Sequence, residues 1–147
     1  MRLTEQSRYA LLTLGVLAEH YPNAITVAEI ARATGITEFN LFKLMKIIAK
    51  CGFVASARGR GGGVRLAMAP GDISVGQVLR RVEPRFQACG PADRLAAATP
   101  PTRLERRTDE VLGRGMRAFL EALDEVSIAE ALGAPREVAQ SALARNT

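Results

Sequence analysis

The sequence predicts a mainly α-helical protein with one small β-hairpin: a winged helix-turn-helix domain followed by a long C-terminal dimerisation helix. Three observations predict it. A capped helix, a glycine turn and a second capped helix succeed one another between Thr26 and Cys51. Two β-suitable segments then flank a turn made of arginine and glycine. Finally, an amphipathic stretch from about Thr102 to Val126 stands apart from that small domain.

The elements follow in order. Thr4 is placed to cap a helix running to His20, with Ala10, Leu11, Leu14, Val16, Leu17 and Ala18 as its apolar face; Pro22 and Asn23 end it. Thr26-Val-Ala-Glu29 has capping-box spacing and opens a helix to about Thr34, which Gly35 closes at little backbone cost. Thr37 caps the next helix, residues 37–51. Leu41, Leu44, Met45 and Ile48 share its inner face at i, i+3, i+4, i+7 spacing, while Phe39, Lys43, Lys46 and Lys50 fall opposite and Phe42 on the border. Gly52 ends it. Phe53 to Ala57 and Val64 to Ala67 are strands around Arg58-Gly-Arg60-Gly-Gly-Gly63, whose glycines allow a sharp turn. Ser74 caps a helix with Val75, Val78, Leu79 and Val82 on one face, and Pro84 stops it.

Residues 84–101, with Pro84, Gly90, Pro91, Pro100 and Pro101, read as a loop longer than a plain connector needs. The long helix carries Leu104, Val111, Leu112, Met116, Phe119, Leu120 and Leu123 as its stripe, and a stripe placed after a complete small domain needs a second copy to bury it. Ser127 restarts a short helix through Leu132. The predicted division is residues 1–83 for the winged domain, 84–101 for a sensor or linker loop, 102–132 for dimerisation helix and closing segment, and 133–147 for a tail.

A hydrophobic fraction of 48% in 147 residues supports a core and argues against global disorder. No apolar run approaches the ~20 residues a bilayer span needs, and Thr4, Glu5, Gln6, Ser7 and Arg8 spoil a signal peptide, so a cytoplasmic protein with no membrane partner is expected. The net charge of +5 is unevenly spread: residues 1–83 hold 11 Lys/Arg against 6 Asp/Glu, whereas residues 84–147 hold 9 of each. Lys43, Lys46, Lys50, Arg58, Arg60 and Arg65 crowd the stretch around the turn, and Glu38 is the only acid between Thr37 and Arg65. A basic helix followed by an arginine-tipped hairpin suits the dense negative charge of a DNA backbone.

Each motif has a plainer explanation to beat. The glycine turn lacks the order of a phosphate-binding loop, and a strand rather than a helix follows it. Spaced lysines are usually a solvated face; against that, Phe39 and Phe42 lie on or near this one, where they either meet thymine methyl groups or pack as core against the wing. Thr37 and Asn40 are placed to hydrogen-bond base edges. Cys51, beside Ile47 and Ile48, reads as a buried structural thiol. Cys89 is an ordinary loop cysteine or, with Arg85 and Arg94 near it in sequence, a redox sensor. His20 needs only the favourable charge interaction at a helix end. No paired carboxylates, Cys–His pair or phosphate loop marks an enzyme.

The stretches MRLTEQSRYALLTLGVLA, TVAEIARATGITEFNLFKLMKIIAKCGFVASARGRGGGVRLA and ISVGQVLRRVE resemble the Rrf2 family of bacterial transcription regulators, and TEFNLFKLM is similar to its iron-responsive, rhizobial-regulator branch. RAFLEALDEVSIAEAL resembles the family's dimerisation helix and closing segment. The resemblance implies a homodimer on a palindromic operator and, in many members, an iron–sulfur cluster on three cysteines. Cys89 matches the first ligand position approximately, but the other two fall near Pro100 and Arg106, which cannot ligate iron. The expectation is therefore no standard cluster, with an atypical one on Cys89 as the remaining cofactor.

The function expected is a homodimeric, sequence-specific DNA-binding regulator, acting as a repressor and answering to iron, redox state or another effector. Thr37, Phe39, Asn40, Phe42 and Lys43 would read the major groove, Lys46 and Lys50 touch phosphates, and Arg58 and Arg60 enter the adjacent minor groove or clamp its backbone. Leu112, Met116, Phe119, Leu120 and Leu123 would pair the subunits. The alternative is a winged-helix module that docks on a protein partner, with DNA binding secondary.

Overall fold

The computed structural model describes residues 3–59, 62–87 and 102–131. Its elements are α1 (Glu5–Glu19), α2 (Val27–Thr34), α3 (Glu38–Lys50), β1 (Val54–Ala57), β2 (Gly63–Leu66), α4 (Val75–Val82), α5 (Pro84–Gln87), α6 (Arg103–Asp124) and α7 (Ile128–Ala131), with a 3-10 turn at Pro70–Asp72.

The helix starts are where hydroxyl side chains can take up free amides. Thr4, Thr26, Thr37, Ser74 and Thr102 each accept from a backbone N–H in the first turn, and the capping boxes of Thr26 with Glu29 and Thr102 with Glu105 are complete. Gly35 closes α2 at φ 72°, a left-handed conformation that costs glycine nothing.

The core is built around α1. Leu14 and Leu17 are fully buried with Ile30 of α2, Leu41 and Ile48 of α3, and Leu79 of α4. β1 and β2 pair antiparallel from Val54↔Leu66 to Ala57↔Gly63. The first strand starts one residue later than its composition suggests, because the Phe53 amide donates to the Ile48 carbonyl at 3.0 Å and so belongs to the end of α3. Ile25, just before α2, adds a third rung: its N–H donates to the Val64 carbonyl at 3.0 Å and its carbonyl accepts from the Val64 N–H at 2.8 Å. At Gly63 a Cβ would stand 2.2 Å from the Ile25 carbonyl oxygen, so only glycine lets these backbones approach.

Pro84 does end α4, but it also opens α5, since proline's missing N–H is harmless in a first helical turn. The first four residues of the expected loop are therefore helical. Residues 88–101, with Cys89, and the tail beyond residue 131 lie outside the described residues, as does Arg60.

The closing segment returns to the front of the chain. Val75 donates to the Val126 carbonyl at 2.9 Å and Ile128 to the Ile73 carbonyl at 2.8 Å, and fully buried Ile128 joins the same core. Helix α6 crosses α4 at Gly76, where a Cβ would lie 2.7 Å from the Leu120 carbonyl oxygen and 2.2 Å from Asp124 Oδ1. This crossing corrects one expectation. Leu120, expected at a subunit contact, is buried in its own chain's core, and Met116 and Leu123 pack partly buried against that core. The physical reason is that the stripe is wide enough to serve two faces. Leu104, Val111, Leu112 and Phe119 remain on the outer one, with Leu104 76% and Leu112 64% exposed.

Candidate nucleic-acid interface

Helix α3 is amphipathic in an unusual sense. Leu41, Leu44 and Ile48 are buried, which turns Phe39, Phe42, Lys43, Lys46 and Lys50 outward. At 3.6 residues per turn, Phe39, Lys43, Lys46 and Lys50 share an arc of about 60°. Phe39 is 67% and Phe42 55% exposed, so neither is core against the wing. The Lys43 ammonium stands over the Phe39 ring, 4.1 Å from its centroid, one helical turn away. Thr37 Oγ1 accepts from the Asn40 amide at 3.4 Å, which orients the first turn; Thr37 is exposed and Asn40 half-buried beside it.

The hairpin follows without a gap. Arg58 is exposed at the end of β1, and Gly59 turns the chain at φ 98° while its carbonyl accepts from Gly62 at 2.8 Å. The described part of the front therefore presents four cations and two bare phenyl rings, with Glu38 as the one acid on α3. Such a surface can release counterions from a polyanion and press apolar rings on something apolar within it.

Several side chains that sequence reasoning passed over hold this front in place. Arg81 of α4 donates through Nη1 to the Cys51 carbonyl at 2.6 Å, and its guanidinium lies 5.2 Å from the Phe53 ring centroid. The Cys51 thiol faces the Arg81 carbonyl at 3.8 Å, so Cys51 is half-buried, not fully buried as expected, in the seam between α3 and α4. Glu83, fully buried, accepts through Oε2 from the Thr4 amide (3.0 Å), Thr4 Oγ1 (2.9 Å) and Ser7 Oγ (2.8 Å), tying the end of α4 to the start of α1. On the next face of α4, Arg80 forms a bidentate pair with Asp124 of α6, and Ser74 Oγ donates to the same carboxylate at 3.1 Å. The Arg80 hydrogen bonds hold the Asp124 carboxyl below its ordinary value of 3.8. A charged residue after an apolar helix face gives no sign in sequence of which partner it will meet.

The comparisons with known proteins decide the family. The family model for Rrf2, described as an iron-dependent transcriptional regulator, matches residues 3–134. The chain belongs to the Rrf2 family. Among curated Rrf2-like relatives, it is similar to the HTH-type transcriptional regulator NsrR of Bacillus subtilis, 33% identical over 132 residues that cover 87% of this chain and 88% of that one. It is also similar to NsrR of Geobacillus kaustophilus, 36% identical over 141 residues covering 90% of each. Among solved structures, T. potens IscR matches with a TM-score of 0.71 at 26% identity, covering 94% of this chain and 90% of that chain. CymR, the global cysteine regulator of B. subtilis, shares the fold at a TM-score of 0.70 and 24% identity, over 92% of this chain and 98% of that chain. As an Rrf2 protein the chain is a winged-helix, DNA-binding transcription regulator and not an enzyme.

The donor set of this Rrf2 chain does not fit a cluster held by three thiolates. The whole sequence has two cysteines, and Cys51 is engaged in the α3–α4 seam. Among the described residues, no three His, Cys, Asp or Glu side chains converge as a metal set. Nor is any described helix long and apolar enough to cross a membrane.

Proposed function

We propose that this Rrf2 regulator is a cytoplasmic homodimeric repressor that binds a palindromic operator without a standard three-cysteine iron–sulfur cluster. One observation carries the DNA reading: the exposed face of α3 brings Phe39, Phe42, Lys43, Lys46 and Lys50 together and continues into Arg58 of the hairpin. In this reading Thr37, Phe39, Asn40, Phe42 and Lys43 enter the major groove, Lys46 and Lys50 meet phosphates, and Arg58 with Arg60 reaches the neighbouring minor groove. Leu104, Val111, Leu112 and Phe119 form the outer face of α6 that a second copy covers, placing two recognition helices about 34 Å apart. Residues 1–83 serve as the reading domain, 102–132 as the pairing and closing segment, and the segment 84–101, which begins with α5 and includes Cys89, as the place where an effector or oxidant acts.

Titration of a selected duplex against the full chain tests this reading. Affinity should fall steeply with salt, at two protomers per duplex. Salt-independent affinity would overturn it. Iron and sulfide quantitation after anaerobic purification should give far less than one cluster per subunit; stoichiometric amounts would refute the cluster-free reading.

A further inference from the structure

The two phenyl rings on α3 demand an explanation that charge does not supply. A face selected only to hold phosphates gains nothing from Phe39, whose ring is two-thirds exposed in the middle of the lysine arc. Leaving apolar area in water is unfavourable, so the ring is of use only where an apolar partner removes it from solvent. In the major groove of unmodified DNA, the apolar feature of a base edge is the C5-methyl group of thymine.

The Lys43 ammonium narrows the choice further. Held 4.1 Å above the Phe39 ring centroid, it stands next to whatever the ring touches. It has three N–H donors and no acceptor. Thymine carries its O4 acceptor directly beside the methyl group, whereas cytosine carries an N4 amino donor at the equivalent place. A phenyl ring with an ammonium parked on it is thus complementary to the methyl and O4 of one thymine edge. It is mismatched to cytosine, even when cytosine bears a 5-methyl group. Lys43 is in this respect unlike Lys46 and Lys50, which stand over no aromatic ring among the described residues.

Resting on the placement of α3 in the major groove, we propose that Phe39 and Lys43 act as one unit that determines specificity for a thymine in each half-site of the operator. Phe39 covers the methyl group, and Lys43 donates to O4.

The experiment uses the full-length protein and a duplex it enriches from a random library. Each thymine of the half-site is replaced in turn by deoxyuridine, which removes only the methyl group. At one position the replacement should weaken binding about fourfold per half-site, the effect of withdrawing one buried methyl. 5-Methylcytosine paired with guanine at that position carries the methyl but puts an N4 amino donor where deoxyuridine and thymine have the O4 acceptor, and should bind no better than deoxyuridine. Phe39→Ala should weaken binding to the thymine duplex and abolish its preference over deoxyuridine, with an unchanged melting temperature because the ring is exposed; Phe39→Leu should keep part of that preference. A deoxyuridine penalty that persists in Phe39→Ala, or no penalty at any thymine, overturns the role of Phe39. Equal binding of thymine and 5-methylcytosine overturns that of Lys43. Enrichment of no duplex by the wild-type chain would instead count against the DNA reading beneath both.

Discussion

Replacing Lys46 by glutamine removes one charge from the centre of the exposed α3 face while leaving the buried Leu41, Leu44 and Ile48 side untouched. Each phosphate contact contributes about 0.9 to the slope of log K against log salt on duplex DNA. A symmetric dimer carries the substitution twice, so its slope should become shallower by about 1.8; a chain binding as a monomer would lose only about 0.9. Between about 50 and 200 mM salt, the ratio of wild-type to variant affinity should therefore shrink by roughly twelvefold. Fluorescence anisotropy across that range measures both slopes. Arg117→Gln supplies the control, because Arg117 is exposed on α6, away from the α3 face, and its loss should leave the slope within error of wild type. An unchanged slope for Lys46→Gln, or an equal change for the control, would refute the assignment of this face to the phosphate backbone.

Other outcomes follow from the packing. Leu112→Asp should dissociate the proposed homodimer in sedimentation velocity while leaving the fold intact, because Leu112 is 64% exposed, whereas Leu120→Ala should cost about 3–5 kcal/mol in denaturant unfolding by opening a cavity in the chain's own core. Gly76→Ala should lower stability by about 1–3 kcal/mol in thermal unfolding, since its Cβ would meet the Leu120 carbonyl at 2.7 Å and backbone must yield. The Asp124 carboxyl is held below 3.8 in the folded chain, so its stabilising contribution is present above about pH 4 and fades as pH falls through the lowered value. Asp124→Asn should accordingly be less stable than wild type at pH 7 by up to about 1 kcal/mol, with the difference closing at strongly acid pH, as chemical denaturation across pH would record.

The chain's architecture was readable because its signals are local. Threonine caps with glutamate three residues on, Gly35 between two helices, and period-3.6 apolar spacing in α3 each depend on neighbours within one turn. The same spacing placed Phe39 and the lysines outside, as observed. What could not be read depends on partners far along the chain. Leu120 has the same spacing credentials as Leu112, and only the crossing of α4 and α6 sends one inward and leaves the other outside. Nothing beside Glu83 in the sequence marks its partners; its hydrogen bonds reach 76 and 79 residues back to Ser7 and Thr4. Pro84 carried two meanings, a stop and a start, and only the second explains α5.

Arg80 and Arg81 are adjacent in sequence yet grip opposite neighbours, one the far end of α6 through Asp124, the other the last turn of α3 through the Cys51 carbonyl. Helix α4 thereby works as a short crossbar with a clamp at either side. At Gly76 the backbones of α4 and α6 already touch, so the long helix has little room to tilt without pressing on the crossbar. Under the proposed function, an effector acting near the start of α6 would thus reach α3 through α4, without itself approaching the DNA.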